Sequence, residues 1–339
     1  MIKFSPTNFL INFMPDSKPN QIELPPITKD LSIIIVSYKR LDCLRKCIQS
    51  IVDTVKTNPY EIIIVDNQSD DGTPETIHRE FPNLRVIENT ENLGFARGNN
   101  QGILISGGKY VLLLNNDTEA LPEAIDTLIE IMNHSPEVGL LGCRLINPNQ
   151  TIQQSFGRML NPVTQLGQKL CANKIYANPG NPMAKSLLTQ WHSVEKDVDW
   201  IRGACMMLRR EALVQAGLMD EQFFMFLEDV DLGAQIRKAG WKVRFTPKAS
   251  IVHHEGASVS KNFLKSALEF RRSQLYFYKK YYGQPGLAGL KLFLLCKFFK
   301  NLVMSRLVSG FSSVGDEKSE EATLEKLNRE VLNLLRNYK

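Results

Sequence analysis

The chain has 339 residues, of which 43% are hydrophobic and 23% charged, and it carries a formal net charge of +5. This is enough apolar material for one large domain, or for one domain with an appendage, and it excludes a disordered chain. Residues 259–310 hold ten Lys or Arg against the single acid Glu269. The positive charge is therefore concentrated near the C-terminus, which argues against a protein that coats nucleic acid and for one basic surface.

The sequence lacks the patterns typical of export and of membrane-spanning helices. The N-terminus has no basic stretch followed by an apolar core, and no uncharged apolar run approaches the ~20 residues that a bilayer-spanning helix needs. There is no CxxC pair, which favours a reduced, cytoplasmic compartment. The six cysteines are scattered: Cys43, Cys47, Cys143, Cys171, Cys205 and Cys296.

The first half of the chain alternates predicted strands and helices. Residues 1–30 contain five prolines with little periodicity, which predicts a leader that lies on the surface or is partly disordered. Beyond it, runs of β-branched residues predict strands, and apolar residues at helical spacing predict helices between them. This alternation predicts an α/β fold with a parallel sheet. The predicted strands are 31–36, 61–65, 84–87, 111–114 and 138–143.

Polar residues follow directly after two of these strands. Strand 61–65 runs into Asp66 and an acid-rich loop, and strand 111–114 runs into Asn115, Asn116 and Asp117. In an open parallel sheet, ligands lie beyond the carboxyl ends of the strands, so an acid there can hold a metal or a phosphate-bearing ligand. A plain turn is the alternative for Asn-Asn-Asp, because these residue types favour turns.

Residues 92–102 hold three glycines, and we interpret them as a loop that allows close backbone approach. Arg97 within it supplies a planar cation suited to a diphosphate. The segment is not a GxGxxG motif. Residues 106–110 are not a P-loop either, because they lack the upstream glycine and the Ser or Thr after the lysine. A glycine-rich segment of this kind does not define a nucleotide site by itself.

The second half of the chain begins with residues 147–197, which are rich in Asn, Gln and Pro and which we interpret as a long excursion over the substrate side. Regular patterns return from residue 198, with a helix predicted at 209–216. An apolar run at 223–227 then leads into three acids at the start of a predicted helix over 230–239, where capping is the structural alternative. A strand at 242–245 precedes His253 and His254, a pair that could ligate a metal.

The C-terminal region combines basic and apolar residues. Residues 283–286 (Gly-Gln-Pro-Gly) are predicted to break a helix, and residues 287–308 are apolar but interrupted by four cations. This composition predicts a helix that lies in the headgroup region of an anionic membrane, and the alternative is a helix packed on the catalytic domain with solvated lysines. Residues 314–339 predict an amphipathic helix for self-packing or for a partner.

Seven segments, in this order, closely resemble glycosyltransferase family 2, and within it the bacterial rhamnosyltransferase-like branch that builds surface polysaccharides. They are IIIVSYKR, IIIVDNQSDDGT, NLGFARGNNQG, LLLNNDTE, VDWIRGACMMLRR, FFMFLEDVDL and IVHHEGAS, and the match covers about residues 31–282. The resemblance implies the GT-A fold, a Rossmann-like and mostly parallel central sheet flanked by helices. We expect a leader at 1–30, a catalytic domain at 31–258 and a basic, apolar helical region at 259–339.

The resemblance also implies roles on the donor side of the site. Tyr38 and Asp66 match positions that hold the base and ribose of the nucleotide. Arg97 and Asn116 match further donor-binding positions. Asp117 matches the last carboxylate of the family's Asp-x-Asp element, which binds a divalent metal, Mg²⁺ or Mn²⁺. His253 matches a position that can complete the metal site, with His254 as the lesser candidate.

On the acceptor side, Asp229 matches the catalytic base of the family's Glu-Asp motif. Trp200, Arg202, Gly203 and Glu228 fall where the acceptor pocket is expected, although Trp200 could equally be a packing residue. The chain departs from the family's pattern at two positions. Lys39 stands where Asn is common, and Asn116 replaces the first acid of the Asp-x-Asp element, which leaves Asp117 as the main metal ligand and predicts modest metal affinity.

These observations predict an inverting glycosyltransferase that moves a sugar from a nucleotide-diphosphate donor (dTDP-rhamnose, a UDP-sugar or a GDP-sugar) to a hydroxyl of a saccharide or lipid-linked saccharide. We expect peripheral contact with the cytoplasmic face of the membrane through residues 263–308, and no nucleic-acid partner. A nucleotidyltransferase would need a triphosphate loop near the N-terminus, which the chain lacks. An inactive nucleotide-binding or membrane scaffold is the other alternative, against which Asp117, Asp229 and His253 argue.

Overall fold

A computed structural model describes residues 22–160, 181–254, 263–308 and 315–338. The chain forms two compact units. The first contains the described residues up to Glu221 and those from Glu228 to residue 254. The second contains Gln222–Leu227 and the described residues from 263 onward. The predicted leader lies mostly outside the described residues, as do residues 161–180 of the predicted excursion.

The first unit is built on a central sheet with helices between its strands. Its strands are β1 (Lys29–Ser37), β2 (Tyr60–Asp66), β3 (Arg85–Glu88), β4 (Gly108–Leu114), β5 (Thr118–Ala120), β6 (Val138–Ile146), β7 (Phe156–Gly157), β8 (Lys196–Asp197), β9 (Trp200–Ile201), β10 (Cys205–Arg209) and β11 (Lys242–His253). Its helices are α1 (Leu41–Thr54), α2 (Thr73–Glu80), α3 (Phe95–Ile105), α4 (Ala124–His134), α5 (Pro182–Trp191), α6 (Arg210–Ala216) and α7 (Glu228–Lys238).

Nine of these strands form one sheet in the order β3-β2-β1-β4-β10-β6-β11-β5, with β8 also paired to β11. β7 and β9 form a separate two-stranded sheet. The ladders joining β3, β2, β1 and β4 are parallel. Beyond β4 the sheet is mixed, because β10 runs antiparallel to both of its neighbours. The expected α/β architecture is confirmed, with parallel ladders from β3 to β4 and a further parallel ladder between β6 and β11.

The buried strands place alternate side chains in two cores, one on each face of the sheet. Ile33 and Ile35 of β1 join the core that contains Leu44 and Ile48 of α1. Ile34, between them, joins the core on the other face. Since successive strand residues point to opposite faces, a run in which every residue is apolar is what a strand covered on both sides requires.

The interpretation of residues 92–102 as a loop is wrong from Phe95 onward, because α3 begins there. Two of the three glycines lie inside this helix and allow it to pack closely on β1. A Cβ atom at Gly102 would lie 2.5 Å from Cγ2 of Ile34, and one at Gly98 would lie 2.9 Å from Cγ1 of Val36. These glycines therefore serve helix-to-sheet packing.

The antiparallel strand β10 brings two distant parts of the chain to one edge of the sheet. Its first residue, Cys205, pairs with Leu114, the last residue of β4. The amide of Asn115 donates to the carbonyl of Ala204 at 3.1 Å, which extends the contact by one more residue. The loop before β10 therefore lies beside the residues that follow β4.

The second unit contains two long helices, α8 (Phe263–Val308) and α9 (Gly315–Asn337). Gly283 inside α8 is non-helical (φ 61°, ψ −162°), so a kink lies where the helix break was predicted. α8 and α9 pack against each other, and the self-packing alternative for the last helix is the one observed. Within the described residues, no helix combines the length and apolarity required to span a bilayer.

Gly142 in β6 offers a test of how tightly the sheet is packed. A Cβ atom there would lie 2.1 Å from Cγ2 of the buried Ile201, a β-branched side chain with little freedom to move. We expect Gly142→Ala to destabilise the protein by about 1–3 kcal/mol, measured by urea unfolding. Gly289→Ala in α8 is the control, because no atom lies within 4 Å of its added Cβ. An unchanged midpoint for Gly142→Ala would contradict this packing.

Candidate active site

Polar residues at the ends of β1, β2 and β4 meet at the carboxyl edge of the sheet. Asp66 ends β2 and pairs in register with Ser37 at the end of β1. Asn116 follows β4, and its Nδ2 donates to Oγ of Ser37 at 3.2 Å. Tyr38 comes next in the chain, with 42% of its surface exposed. An exposed aromatic ring beside these strand ends is available to a planar ligand.

Asp66 is buried and has one unused acceptor atom. Its Oδ2 accepts a hydrogen bond from the amide of Ser69 at 2.7 Å. Its Oδ1 is buried and has no donor among the described residues. Burial raises the pKa of the Asp66 carboxyl even though the bonds from Ser69 oppose the rise. A buried acceptor without a protein donor is the arrangement that an N–H or O–H group of a ligand would complete.

Asp117 lies between two cationic or potentially cationic side chains. Its Oδ1 is 3.4 Å from Nε2 of His253, and its Oδ2 accepts from Nη1 of Arg40 at 3.1 Å. Burial alone would raise the pKa of Asp117, but the bond and charge of His253 and the charge of Arg40 outweigh it and hold the pKa below its usual value. Asp117 is therefore a carboxylate at neutral pH.

His253 ends β11, and its second ring nitrogen is held by a residue that sequence reasoning missed. Nδ1 lies 2.7 Å from Oε1 of Gln153, so it donates to that amide oxygen and leaves Nε2 facing Asp117. A partner of this kind orients the imidazole of a metal ligand and fixes its tautomer. Gln153 lies in the aperiodic segment 147–197, where no pattern distinguished it.

The side chains of Asp117 and His253 together suit a divalent ion. One carboxylate oxygen and one imidazole nitrogen, 3.4 Å apart, can both reach a single ion at ordinary ligand distances, and Mg²⁺ and Mn²⁺ take their remaining ligands from water and phosphate. No group of three His, Cys, Asp or Glu suited to a metal occurs among the described residues. His254 is engaged elsewhere, with its Nε2 2.8 Å from Oε1 of Glu119.

Asp229 is fixed at the start of α7 by two backbone amides. Its Oδ2 accepts from the amide of Gly203 at 3.0 Å, and its Oδ1 accepts from that of Val230 at 2.8 Å. Gly203 stands two residues before β10, whose first residue lies beside the end of β4. The contact with Gly203 therefore brings Asp229 to the same edge of the sheet as Asp117.

Glu228 and Asp229 are adjacent acids with different surroundings. Burial and the charge of Asp229 raise the pKa of Glu228 well above its usual value, and its Oε2 has no donor among the described residues. Burial also raises the pKa of Asp229, but the two amide donors and the charge of Arg202 oppose that rise. The pKa of Glu228 is therefore raised further than that of Asp229, so Asp229 is the acid of the pair that ionises more readily.

The other predicted residues lie in different surroundings. Trp200 is buried and donates from Nε1 to the carbonyl of Arg158 at 2.9 Å, which favours the packing role that the sequence left open. Arg202 is partly exposed, and its Nη1 donates to the carbonyl of Gln154 at 3.4 Å. Arg97 lies on the exposed side of α3, where its Nε faces Oε2 of Glu221 at 3.6 Å.

The sheet with helices between its strands and the acids at its carboxyl edge agree with the GT-A fold of glycosyltransferases. The model of the family described as Glycosyl transferase family 2 matches residues 32–214, and the chain belongs to that family. This confirms the family predicted from the seven segments. Membership implies a nucleotide-sugar donor and a saccharide acceptor.

Individual relatives indicate the branch and the fold. The N-acetylglucosaminyl-diphospho-decaprenol L-rhamnosyltransferase of Mycobacterium tuberculosis is 28% identical over 248 residues, which are 70% of this chain and 80% of the relative. The O-antigen biosynthesis protein RfbC of Myxococcus xanthus is 29% identical over 68% of this chain but only 18% of its own length. These matches place the chain in the rhamnosyltransferase-like branch.

Among solved structures, the mannosyltransferase PcManGT from Pyrobaculum calidifontis, in complex with GDP-Man and Mn²⁺, superposes with a TM-score of 0.51. The alignment covers 93% of this chain and 87% of PcManGT, at 16% sequence identity. At that identity the similarity is evidence for the fold alone, and it agrees with the GT-A arrangement read from the sheet.

Proposed function

We propose that this protein is a metal-dependent, inverting glycosyltransferase that transfers a sugar from a nucleotide diphosphate to a hydroxyl of a saccharide or lipid-linked saccharide in cell-surface polysaccharide synthesis. One observation carries the proposal. Two carboxylates, Asp117 and Asp229, lie at the same sheet edge in opposite electrostatic settings. The pKa of Asp117 is held low beside His253 and Arg40, which keeps it the carboxylate that a metal ligand must be. Asp229 is held by neutral amides beside an acid whose pKa is raised further, as suits a proton acceptor.

On the donor side, Asp66 and Tyr38 would bind the nucleoside. The free Oδ1 of Asp66 would accept a hydrogen bond from the base or ribose, and the Tyr38 ring would stack on the base. Asn116 and Arg97 would contact the diphosphate and the sugar. Asp117 and His253 would hold the divalent ion, Mg²⁺ or Mn²⁺, which when bound stabilises the negative charge that develops on the leaving diphosphate.

On the acceptor side, Asp229 would accept the proton of the attacking hydroxyl as that oxygen bonds to the anomeric carbon. The bond to the diphosphate breaks on the opposite face, so a single displacement inverts the anomeric centre. Arg202 and Gly203 would line the acceptor side, with the Gly203 amide orienting the Asp229 carboxylate. Glu228, whose protonated form burial favours, would support the start of α7 and keep a second negative charge away from the base.

The donor is tested by incubating the purified full chain with dTDP-rhamnose, UDP-sugars and GDP-sugars, each with Mg²⁺ or Mn²⁺, and measuring release of nucleotide diphosphate with and without saccharide acceptors. The relative from M. tuberculosis is named a rhamnosyltransferase acting on a lipid diphosphate-linked sugar. We therefore expect dTDP-rhamnose to give the fastest release of nucleotide diphosphate among these donors. Binding of a nucleotide sugar with no turnover under any condition would favour the inactive scaffold instead.

The second half of α8 supports peripheral membrane contact. Leu287, Leu290, Leu294 and Phe298 are buried in the second unit. A second row of apolar residues at helical spacing points outward, with 65% of Leu292 and 62% of Phe299 exposed. Lys300 lies next to this row and is exposed. The exposed row, here called the α8 stripe, is Leu292, Leu295, Phe299 and Val303. Apolar residues flanked by lysine suit a helix lying in an anionic membrane surface.

Substitution within the α8 stripe should abolish membrane binding. We expect the Leu292→Glu, Phe299→Glu double variant to lose flotation with phosphatidylglycerol vesicles, at least ~10-fold relative to the unmodified chain, because two charges would enter the interface. Leu324→Glu on α9 is the control, since Leu324 is an exposed apolar residue outside the stripe. Equal flotation of all three proteins would contradict the proposal. Loss of a dimer in place of flotation would assign the stripe to a second copy of the chain.

A further inference from the structure

Arg40 lies beside the proposed metal site, and the transfer proposed above gives it no contact with donor or acceptor. Its Nη1 donates to Oδ2 of Asp117 at 3.1 Å, and its Nη2 donates to Sγ of Cys43 at 3.0 Å. The side chain of Arg40 is 20% exposed and that of Asp117 is 12% exposed. An ion pair so shielded from water is screened by salt far less than a surface pair.

The backbone that presents Arg40 is held in an uncommon conformation. Lys39 and Arg40 have φ angles of 60° and 68°, two successive residues in the left-handed region with a Cβ atom each. Such a pair persists only where other contacts fix it, and it occurs most often at functional sites. Here the Lys39 amide donates to Oγ of Ser69 at 2.7 Å. The Arg40 carbonyl accepts from the amides of Cys43 and Leu44 in the first turn of α1.

This arrangement gives the two oxygens of Asp117 different partners. Oδ1 faces Nε2 of His253, whereas Oδ2 is occupied by the guanidinium of Arg40. A divalent ion on this carboxylate would share it with a like charge, and at such separations like charges repel strongly in a shielded site. The guanidinium therefore balances the negative charge of Asp117 in the free protein. It would compete with a divalent ion for this carboxylate.

We propose that Arg40 is a built-in counter-ion of Asp117 that keeps the affinity for a divalent ion low until a nucleoside diphosphate binds. The proposal rests on the metal-dependent transfer proposed above. On binding, the guanidinium would exchange the Asp117 carboxylate for the diphosphate, whose oxygens match its planar array of donors. Asp117 is then free for the ion. Metal and diphosphate would each raise the affinity for the other, because linkage between two ligands is reciprocal.

The test measures Mn²⁺ binding to the full chain by the electron paramagnetic resonance signal of free Mn²⁺, alone and with UDP, GDP or dTDP. We expect Arg40→Ala and Arg40→Gln to bind Mn²⁺ alone at least ~10-fold more tightly, equivalent to about 1.4 kcal/mol. The gain in Mn²⁺ affinity on adding the diphosphate should shrink by a similar factor. Arg40→Lys keeps the charge and should stay close to the unmodified chain.

Arg45→Ala is the matched control, because it removes an arginine of α1 that pairs with Glu80 at an exposed site. It should leave Mn²⁺ binding unchanged. The proposal is overturned if folded Arg40→Ala binds Mn²⁺ no more tightly than the unmodified chain, and Arg40→Gln decides in the same way if the alanine variant does not fold. Failure of the underlying metal assignment looks different: Asp117→Asn would then bind Mn²⁺ as the unmodified chain does, with and without diphosphate.

Discussion

Asp229→Asn is expected to lower kcat by about 10²–10⁴-fold, because an amide cannot accept the proton of the attacking hydroxyl. The substitution keeps the size and shape of the side chain, and its oxygen can still accept from one of the two backbone amides that hold Asp229. The Kd for the nucleotide sugar should therefore stay within ~3-fold of that of the unmodified protein, since the base acts in the transition state and does not hold the bound donor. Steady-state kinetics and calorimetric titration with the donor separate the two effects.

Glu228→Gln is the matched control, because it makes the same change of carboxyl to amide one residue away. Burial and the charge of Asp229 raise the pKa of Glu228 and so favour its protonated form, which an amide resembles. We expect this variant to keep most of its activity. A loss as large as that of Asp229→Asn would refute the assignment of the base to Asp229 alone.

The raised pKa of Asp229 beside Glu228 predicts that activity depends on pH. The base must be deprotonated, and burial raises the pKa of Asp229 above that of an ordinary aspartate. Activity is therefore expected to fall with decreasing pH at a higher pH than a solvent-exposed aspartate would allow, and a pH–rate profile measures this.

Asp117→Asn is expected to cause the second large loss of activity. Loss of the carboxylate removes the negative charge that would attract the ion, so metal-dependent turnover should fall at least ~10²-fold and should not be restored by raising the Mg²⁺ or Mn²⁺ concentration. Glu119→Gln is the control at the same sheet edge, because Glu119 pairs with His254 and not with His253. Full activity of Asp117→Asn at ordinary Mn²⁺ concentrations would exclude Asp117 as the main metal ligand.

The sequence predicts well those features that depend on local pattern. β1, β2 and β4 are runs in which every central residue is buried, so their apolar composition alone marks them. A strand that ends in a carboxylate is also a local pattern, and it predicts that Asp66 and the Asn-Asn-Asp segment lie at the sheet edge. The kink in α8 likewise follows from the conformational preferences of Gly283 and Pro285.

Other features depend on partners far away in the chain and leave no local trace. Nothing in Cys205–Arg209 indicates that β10 pairs antiparallel with β4, because an apolar run fits either direction. The glycines of α3 lower its helix propensity, and the closeness of Ile34 and Val36, which explains why glycine stands at these positions, cannot be seen in the sequence. Gln153 and Arg40 belong to the site through contacts with His253 and Asp117, each more than seventy residues away.

The reversed direction of β10 has a consequence for chimeric enzymes. Only residues 202–204 separate β9 from β10, and this short connection sets the reach of Gly203 towards Asp229. One inserted residue would advance the chain by about 3.3 Å, more than the length of that hydrogen bond. When segments around β9 and β10 are exchanged between relatives, the connection 202–204 should therefore keep its native length. The fusion points should lie on either side of it.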